Sequence, residues 1–203
     1  MRCKEPQMKI IGVAYHEGER HIILKSDSSL LNGRKPFFSP EGMQCVSAHP
    51  CLVFRIGRMG KHIEPRFAWR YIDGYAAGLH LEDSELLSAS RRNGSDWTFA
   101  TAMDGSMPVG VFTRPQEEAC NEQYTFRLYN SVADIAEGKY GDEKKLHLND
   151  SPEDIVSMLS KTITLRQGDM IFIATPDKPF EANNNNCIVA FTDNEDVLFC
   201  KVK

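Results

Sequence analysis

The sequence has no long hydrophobic run. Its longest uninterrupted apolar stretches, Met170–Ala174 and Cys187–Phe191, fall far short of the roughly 20 residues a membrane-spanning helix needs. It has no basic excess either: 24 Lys and Arg stand against 28 Asp and Glu, for a net charge of -4. A phosphate backbone would find no matching field, so nucleic acid is not an expected partner. No Cys-x-x-Cys pair occurs among the cysteines at 3, 45, 51, 120, 187 and 200, and the opening MRCKEPQMKI lacks the apolar core of a secretory signal. The expectation is a cytoplasmic protein with reduced thiols, most of them buried as small hydrophobes. There is no internal repeat, and the one low-complexity stretch is Asn183–Asn186.

What is present is ordinary for a globular chain: 203 residues, 41% hydrophobic and 26% charged. That length suits one domain, residues 1–203, able to bury a full core. Strands are expected at Lys9–Ala14, His21–Lys25, Leu52–Ile56, Tyr124–Tyr129, Met170–Ala174, Cys187–Thr192 and Val197–Val202. These runs are rich in β-branched and aromatic residues and end at turn formers. The clearest helix starts at Ser151, a capping residue followed by Pro152, Glu153 and Asp154. Ile155, Val156, Leu159 and Ile163 then recur at helical spacing. A second helix is expected over Arg66–Ile72, and the polar stretch Gly138–Asp150 reads as a loop. The fold class is α+β, dominated by strands.

Several blocks carry a resemblance. They are Met8-Lys-Ile-Ile-Gly-Val-Ala-Tyr15, Ile23-Leu-Lys-Ser-Asp-Ser-Ser-Leu30, Leu52-Val-Phe-Arg-Ile-Gly-Arg58 and Tyr71-Ile-Asp-Gly-Tyr-Ala-Ala-Gly78, followed by Trp97-Thr, Pro108-Val-Gly110, Thr164-Leu-Arg-Gln-Gly-Asp169 and Ala174-Thr-Pro176. In this order, and over nearly the whole chain, they resemble the fumarylacetoacetate hydrolase family. No single block is specific; the ordered set is. The resemblance implies a mixed β-sandwich roll with a few flanking helices. It also implies a homodimer and a site for small 2-oxo or enol carboxylates served by Mg²⁺ or Mn²⁺. Members hydrolyse, isomerise, tautomerise or decarboxylate such acids, so the site must decide which.

The site departs from the family pattern. The Glu-x-Glu pair expected at the central strand falls on His49 and Cys51, and the following Asp falls on His80. None is a carboxylate. Two imidazoles and a thiolate suit Zn²⁺ or Fe²⁺ rather than Mg²⁺ or Mn²⁺. An Arg of the family falls near Ser84, and the Lys beside the substrate falls on Thr101. The N-terminal lid is shortened. His16-Glu-Gly-Glu19 keeps the spacing of a base and its orienting carboxylate. Lys25, Ser28 and Thr175 are the groups left to contact a substrate carboxylate, and Asp104 stands either in the site or in an Asp-Gly turn.

Two functions follow. One is an altered enzyme: metal on His49, Cys51 and His80, proton transfer by His16 with Glu19, and a small 2-oxo carboxylate as substrate. The other is a silent scaffold without metal that binds a ligand or partner. A shifted register recruiting Glu82, Asp83 or Glu85 near the third ligand would restore an ordinary Mg²⁺ enzyme, but nothing acidic lies between Glu41 and Cys51 to complete it.

Overall fold

The computed structural model describes residues 8–43, 45–114, 124–193 and 195–203; Cys3 and Cys120 lie outside them. Among the described residues twelve strands form in chain order: β1 Ile10–His16, β2 Glu19–Lys25, β3 Leu30–Asn32, β4 Val46–Ile56, β5 Ile72–Glu82, β6 Met107–Val109, β7 Thr125–Tyr129, β8 Asp142–Lys145, β9 Met170–Ala174, β10 Phe180–Ala182, β11 Cys187–Thr192 and β12 Glu195–Lys201. Four α-helices accompany them among the described residues: α1 Ser84–Asn93, α2 Thr98–Thr101, α3 Val132–Glu137 and α4 Pro152–Thr162. The larger sheet runs β2-β1-β9-β4-β5-β6-β3, with β10 also pairing β4, and the smaller runs β12-β11-β7-β8. This is the expected strand-dominated class.

Several local expectations hold, because their signals are local. α4 begins where Ser151 accepts a hydrogen bond from the Asp154 amide, with proline in its first turn. β9 and β11 have the expected bounds. Others need correction. Arg66–Ile72 is a 3₁₀ turn over Pro65–Arg70, and Ile72 already opens β5. Gly138–Asp150 is not all loop: Asp142–Lys145 pairs with β7 although its residues are polar, because it is an edge strand. Leu52–Ile56 is only the end of an eleven-residue strand.

The two faces of the large sheet differ, and that difference builds the site. On one face Ile11, Val13, Leu52, Phe54, Leu79, Leu81, Ile171 and Ile173 join Ile155, Leu159, Phe126, Ile188 and Leu198 in one buried core beneath α4 and the small sheet. Alternation sends the neighbouring residues to the other face. There Ile10, Cys51, Val53, Ala76 and Phe172 make a smaller apolar cluster. Farther along the same strands the residues turn titratable: His16, Lys25, His49, His80 and Glu82 are all buried.

The long strand β4 changes neighbours midway. Cys51–Arg55 pair with β9, while Val46–Ala48 pair with β10. Pro50 sits in the gap, so it is not the first residue of its strand. Its carbonyl accepts from the Thr175 amide on that side. Its missing N–H faces the same gap and costs no ladder bond to β5. The gap leaves a notch in the sheet beside His49.

Candidate active site

His49 and His80 are direct cross-strand partners in β4 and β5, with ring centroids 5.7 Å apart. Glu82 follows His80 by two residues and so shares its face. His49 Nε2 lies 3.0 Å from Glu82 Oε1, and His80 Nε2 lies 3.2 Å from Glu82 Oε2. His16 enters from the end of β1. Because β9 stops at Ala174, nothing intervenes on the notch side: the His16 ring stands 6.0 Å from that of His49, and its Nε2 is 3.6 Å from Glu82 Oε2. Three imidazoles thus surround one carboxylate that is 3% exposed.

The charge state follows from burial and contact. Burial alone would raise the Glu82 pKa, but hydrogen bonds from His49 and His80 win and hold it well below the usual carboxylate range. Burial pushes His80 down to about 3, with Lys25 adding to the effect. Burial also lowers His16, against the pull of Glu82. The cluster is therefore an ionised carboxylate with His16 and His80 favoured as neutral imidazoles. His16 Nε2, His80 Nε2 and Glu82 Oε2 are buried without a hydrogen-bond partner of good geometry. Such convergent orphaned atoms are costly unless something completes them.

Phe172 fixes one wall, its ring stacked 5.2 Å from that of His80. Gly12 makes room for it: a Cβ there would stand 2.1 Å from the Phe172 carbonyl oxygen. The opposite side is open. A cleft of about 400 Å³ exposes His16, His49 and Glu82 beneath the Pro176–Pro179 loop and the α1 face Ser84, Leu87, Ser88 and Arg91. Those four residues stand at the i, i+3, i+4, i+7 spacing of one helix face. Arg91 and Lys178 bring positive charge to the rim, where Arg91 also pairs with Glu17 at 2.7 Å.

The other expected residues fall into different places. Cys51 is fully buried between Gly78 and Ala174, its register partners on either side. Burial raises its thiol well above the ordinary value, and it stands outside the ring around Glu82. Lys25 is locked by four acceptors: Nζ donates to the carbonyls of Leu81, Thr101 and Ser106 and to Ser106 Oγ. Burial pushes its pKa down to about 7, while Glu82 pulls it up. It is a structural cation behind the cluster. Thr101 is buried, with Oγ1 bonded to the Trp97 carbonyl, and Thr175 Oγ1 is engaged with Asp177. Ser28 is exposed and bonds Ser26. Asp104 lies in an exposed turn before β6. Glu19 is exposed across the hairpin from His16, where Glu17 and Gly18 both take the left-handed conformation of a tight two-residue turn. Of the expected catalytic and substrate-contact residues, only His16 meets the cluster.

Among the described residues no three His, Cys, Asp or Glu side chains stand as a ready-made metal cage, and the donors rest against Glu82 instead. Their chemistry still discriminates. Three imidazole nitrogens and one carboxylate fit a first-row transition-metal ion and fit poorly an ion that demands only oxygen. No helix among the described residues is long and apolar enough to cross a membrane.

The fumarylacetoacetate hydrolase C-terminal family model matches residues 4–197. The chain is 27% identical over 199 residues to the mitochondrial oxaloacetate tautomerase FAHD1 of Mus musculus, covering 94% of this chain and 87% of that one. It is 25% identical over 170 residues to the oxaloacetate tautomerase YcgM of Escherichia coli, covering 84% and 75%. The fold matches fumarylpyruvate hydrolase from Pseudomonas aeruginosa, solved in complex with Mn²⁺ and pyruvate, with a TM-score of 0.77, 20% identity and coverage of 97% and 89%. It also matches 5-carboxymethyl-2-hydroxymuconate delta-isomerase from Mycobacterium smegmatis, with a TM-score of 0.72, 20% identity and coverage of 97% and 78%. A family model spanning nearly the whole described chain and a shared architecture lead to one conclusion: the chain belongs to the fumarylacetoacetate hydrolase family.

Proposed function

We propose that this protein is a metal-assisted hydrolase or isomerase of small 2-oxo carboxylates, working in the cleft above Glu82. One observation carries the proposal: a buried, ionised carboxylate ringed by histidines forms the floor of an open cleft with cationic groups at its rim. A silent scaffold has no need to maintain so costly a group in its interior, where breaking one partner of a buried charge is strongly destabilising. The relatives support the substrate class, since those named above act on small oxo acids or their enols.

His49, His80 and Glu82 are the residues that would hold a divalent ion. When bound, the ion supplies Lewis-acid polarisation of the 2-oxo group. The remaining work belongs to the chain. Arg91 orients the substrate carboxylate, taking over from the Arg that the family places near Ser84; both positions lie on the cleft-facing side of α1. Pro176 and Pro179 line the cleft beside the notch. Lys25, held by its carbonyl cage, offsets the negative charge of Glu82 from behind.

The test is turnover of oxaloacetate enol, acylpyruvates and fumarylpyruvate with Mg²⁺, Mn²⁺, Fe²⁺ or Zn²⁺ supplied in turn. Activity on at least one, reduced about 100-fold or more in kcat/KM by Arg91→Ala, is the expected outcome. No turnover with any ion would instead favour the scaffold.

A further inference from the structure

Cations gather at the end of β4 remote from the cleft. Arg58 and Lys61 follow that strand, Arg66 and Arg70 sit on the 3₁₀ turn over Pro65–Arg70, and Lys161 and Arg166 come from the end of α4 and the turn before β9; all six are exposed. Backbone hydrogen bonds hold these segments together. The His62 amide donates to the Ser160 carbonyl, Gly60 and Leu165 exchange both of their bonds, and the Gly57 amide donates to the Tyr71 carbonyl. Arg66 pairs with Glu64 at 2.8 Å, while the other five cations have no carboxylate partner among the described residues. Asp169, close by in the chain, is buried and held by Lys9. The net charge of -4 hides this patch. Screening limits charge interactions to about 8 Å at physiological salt, so an approaching surface meets the patch and not the sum.

The same face carries an apolar tip: Met59, next to Arg58 and two residues before Lys61, is 70% exposed. We propose that this patch docks the protein on an anionic bilayer surface, its cations against the lipid headgroups and the Met59 side chain in the interface. Cations around one exposed thioether match headgroups lying above acyl chains, whereas a nucleic-acid backbone gives the thioether nothing to enter. The aromatic rings of the patch are already covered. Arg58 lies over Tyr71 at 4.5 Å, and Arg66 and Arg70 each lie over Phe67 at 4.6 Å. These half-buried rings offer no platform for stacking bases; they orient the guanidinium groups instead. Gly57 lies eight residues beyond His49 in the chain, about 25 Å at the rise of a strand, so docking leaves the cleft uncovered. The inference does not rest on the proposed function.

The experiment is co-sedimentation of the intact protein with vesicles of phosphatidylcholine alone and of phosphatidylcholine with about 30% phosphatidylserine, at about 0.05 M and about 0.5 M NaCl. The expected result is binding to the anionic vesicles only, lost at the higher salt. The double variant Arg58→Gln with Arg70→Gln should bind at least about tenfold more weakly, since each cation at such a surface is worth roughly fivefold. Met59→Ser should weaken binding about threefold without changing its salt dependence. All three side chains are exposed, so the variants should keep the wild-type Tm, which separates lost docking from lost folding. No binding to anionic vesicles at low salt, equal binding to neutral vesicles, or variants that bind as the wild type does would each overturn the proposal. Tighter binding to polyglutamate or to duplex DNA than to the vesicles would also overturn it, assigning the patch to an acidic protein or to nucleic acid. Displacement from the vesicles by soluble glycerophosphoserine would overturn it too, since a headgroup pocket and not a surface would then be at work.

Discussion

Glu82 is the residue on which the site turns, and it shows how far single positions could be read. The order of sequence blocks located the substituted positions His49, Cys51 and His80, and two of the three meet in space. Glu82 was visible only as a nearby acid two residues past His80; the spacing that puts both on one face becomes decisive once β5 is known to run through Glu82. Cys51 shares that face but faces small residues, where a thiol simply fills space. Thiol chemistry at this scale is testable elsewhere. Cys45 donates its S–H towards Glu181, and burial together with that carboxylate raises its pKa from 9.0 to about 11. A raised pKa keeps the protonated form, so at pH 8 its thiolate fraction falls about 100-fold below that of an ordinary cysteine. Iodoacetamide labelling of Cys45, followed by peptide mass spectrometry, should be correspondingly slow at pH 8 and climb towards pH 11. Glu181→Gln should speed it. Labelling at the rate of free cysteine would contradict this account.

At the scale of elements, the notch beside β4 creates the cleft. β9 ends at Ala174 and β10 begins at Phe180, so on that side β4 pairs with no strand at Pro50, whose carbonyl takes the Thr175 amide, and the side chains of His16 and His49 meet across the opening. The sequence hinted at the break through Pro50 and Thr175-Pro176, but a proline in a strand is equally compatible with an edge or a strand start. The parallel pair β1–β9 is equally specific. Gly12 lies opposite Phe172 in the register, and the Phe172 ring in turn supports His80. Gly12→Ala places a methyl group 2.1 Å from the Phe172 carbonyl oxygen, so the two strands must separate. Overpacking of this kind costs about 3 kcal/mol. Chemical denaturation should show that loss, and metal affinity should fall with it because Phe172 no longer holds His80. An unchanged midpoint would mean the strands pack less closely than described.

At the scale of the whole molecule, the two sheets share one core. Phe126 of the small sheet and Phe54 of the large one belong to the same buried cluster, and α4 covers part of it with Ile155, Val156 and Leu159. Phe126→Ala should therefore destabilise both sheets together, by about 3–5 kcal/mol, which for a chain of this size lowers Tm by roughly 10 °C. Both tryptophans, Trp69 and Trp97, lie outside the small sheet, so their fluorescence reports on the other part of the molecule. Fluorescence and far-UV circular dichroism should shift to the same lower midpoint. Two separate transitions would show that the sheets unfold independently.

The sequence alone determined the strand-rich class, most strands, the start of α4 and the family. Each rests on local chemistry: β-branched runs, a capping serine before proline, and blocks in fixed order. It missed α1, the extent of β4 and the whole of β5, because α1 is polar and the strands' buried histidines and glycines break the apolar alternation. Tertiary structure decided which titratable groups meet. Strand register set His49 against His80, the early end of β9 admitted His16, and the length of β5 brought Glu82 between them. Apart from His80 with Glu82, these contacts join residues far apart in the chain, so no spacing within one segment could encode them.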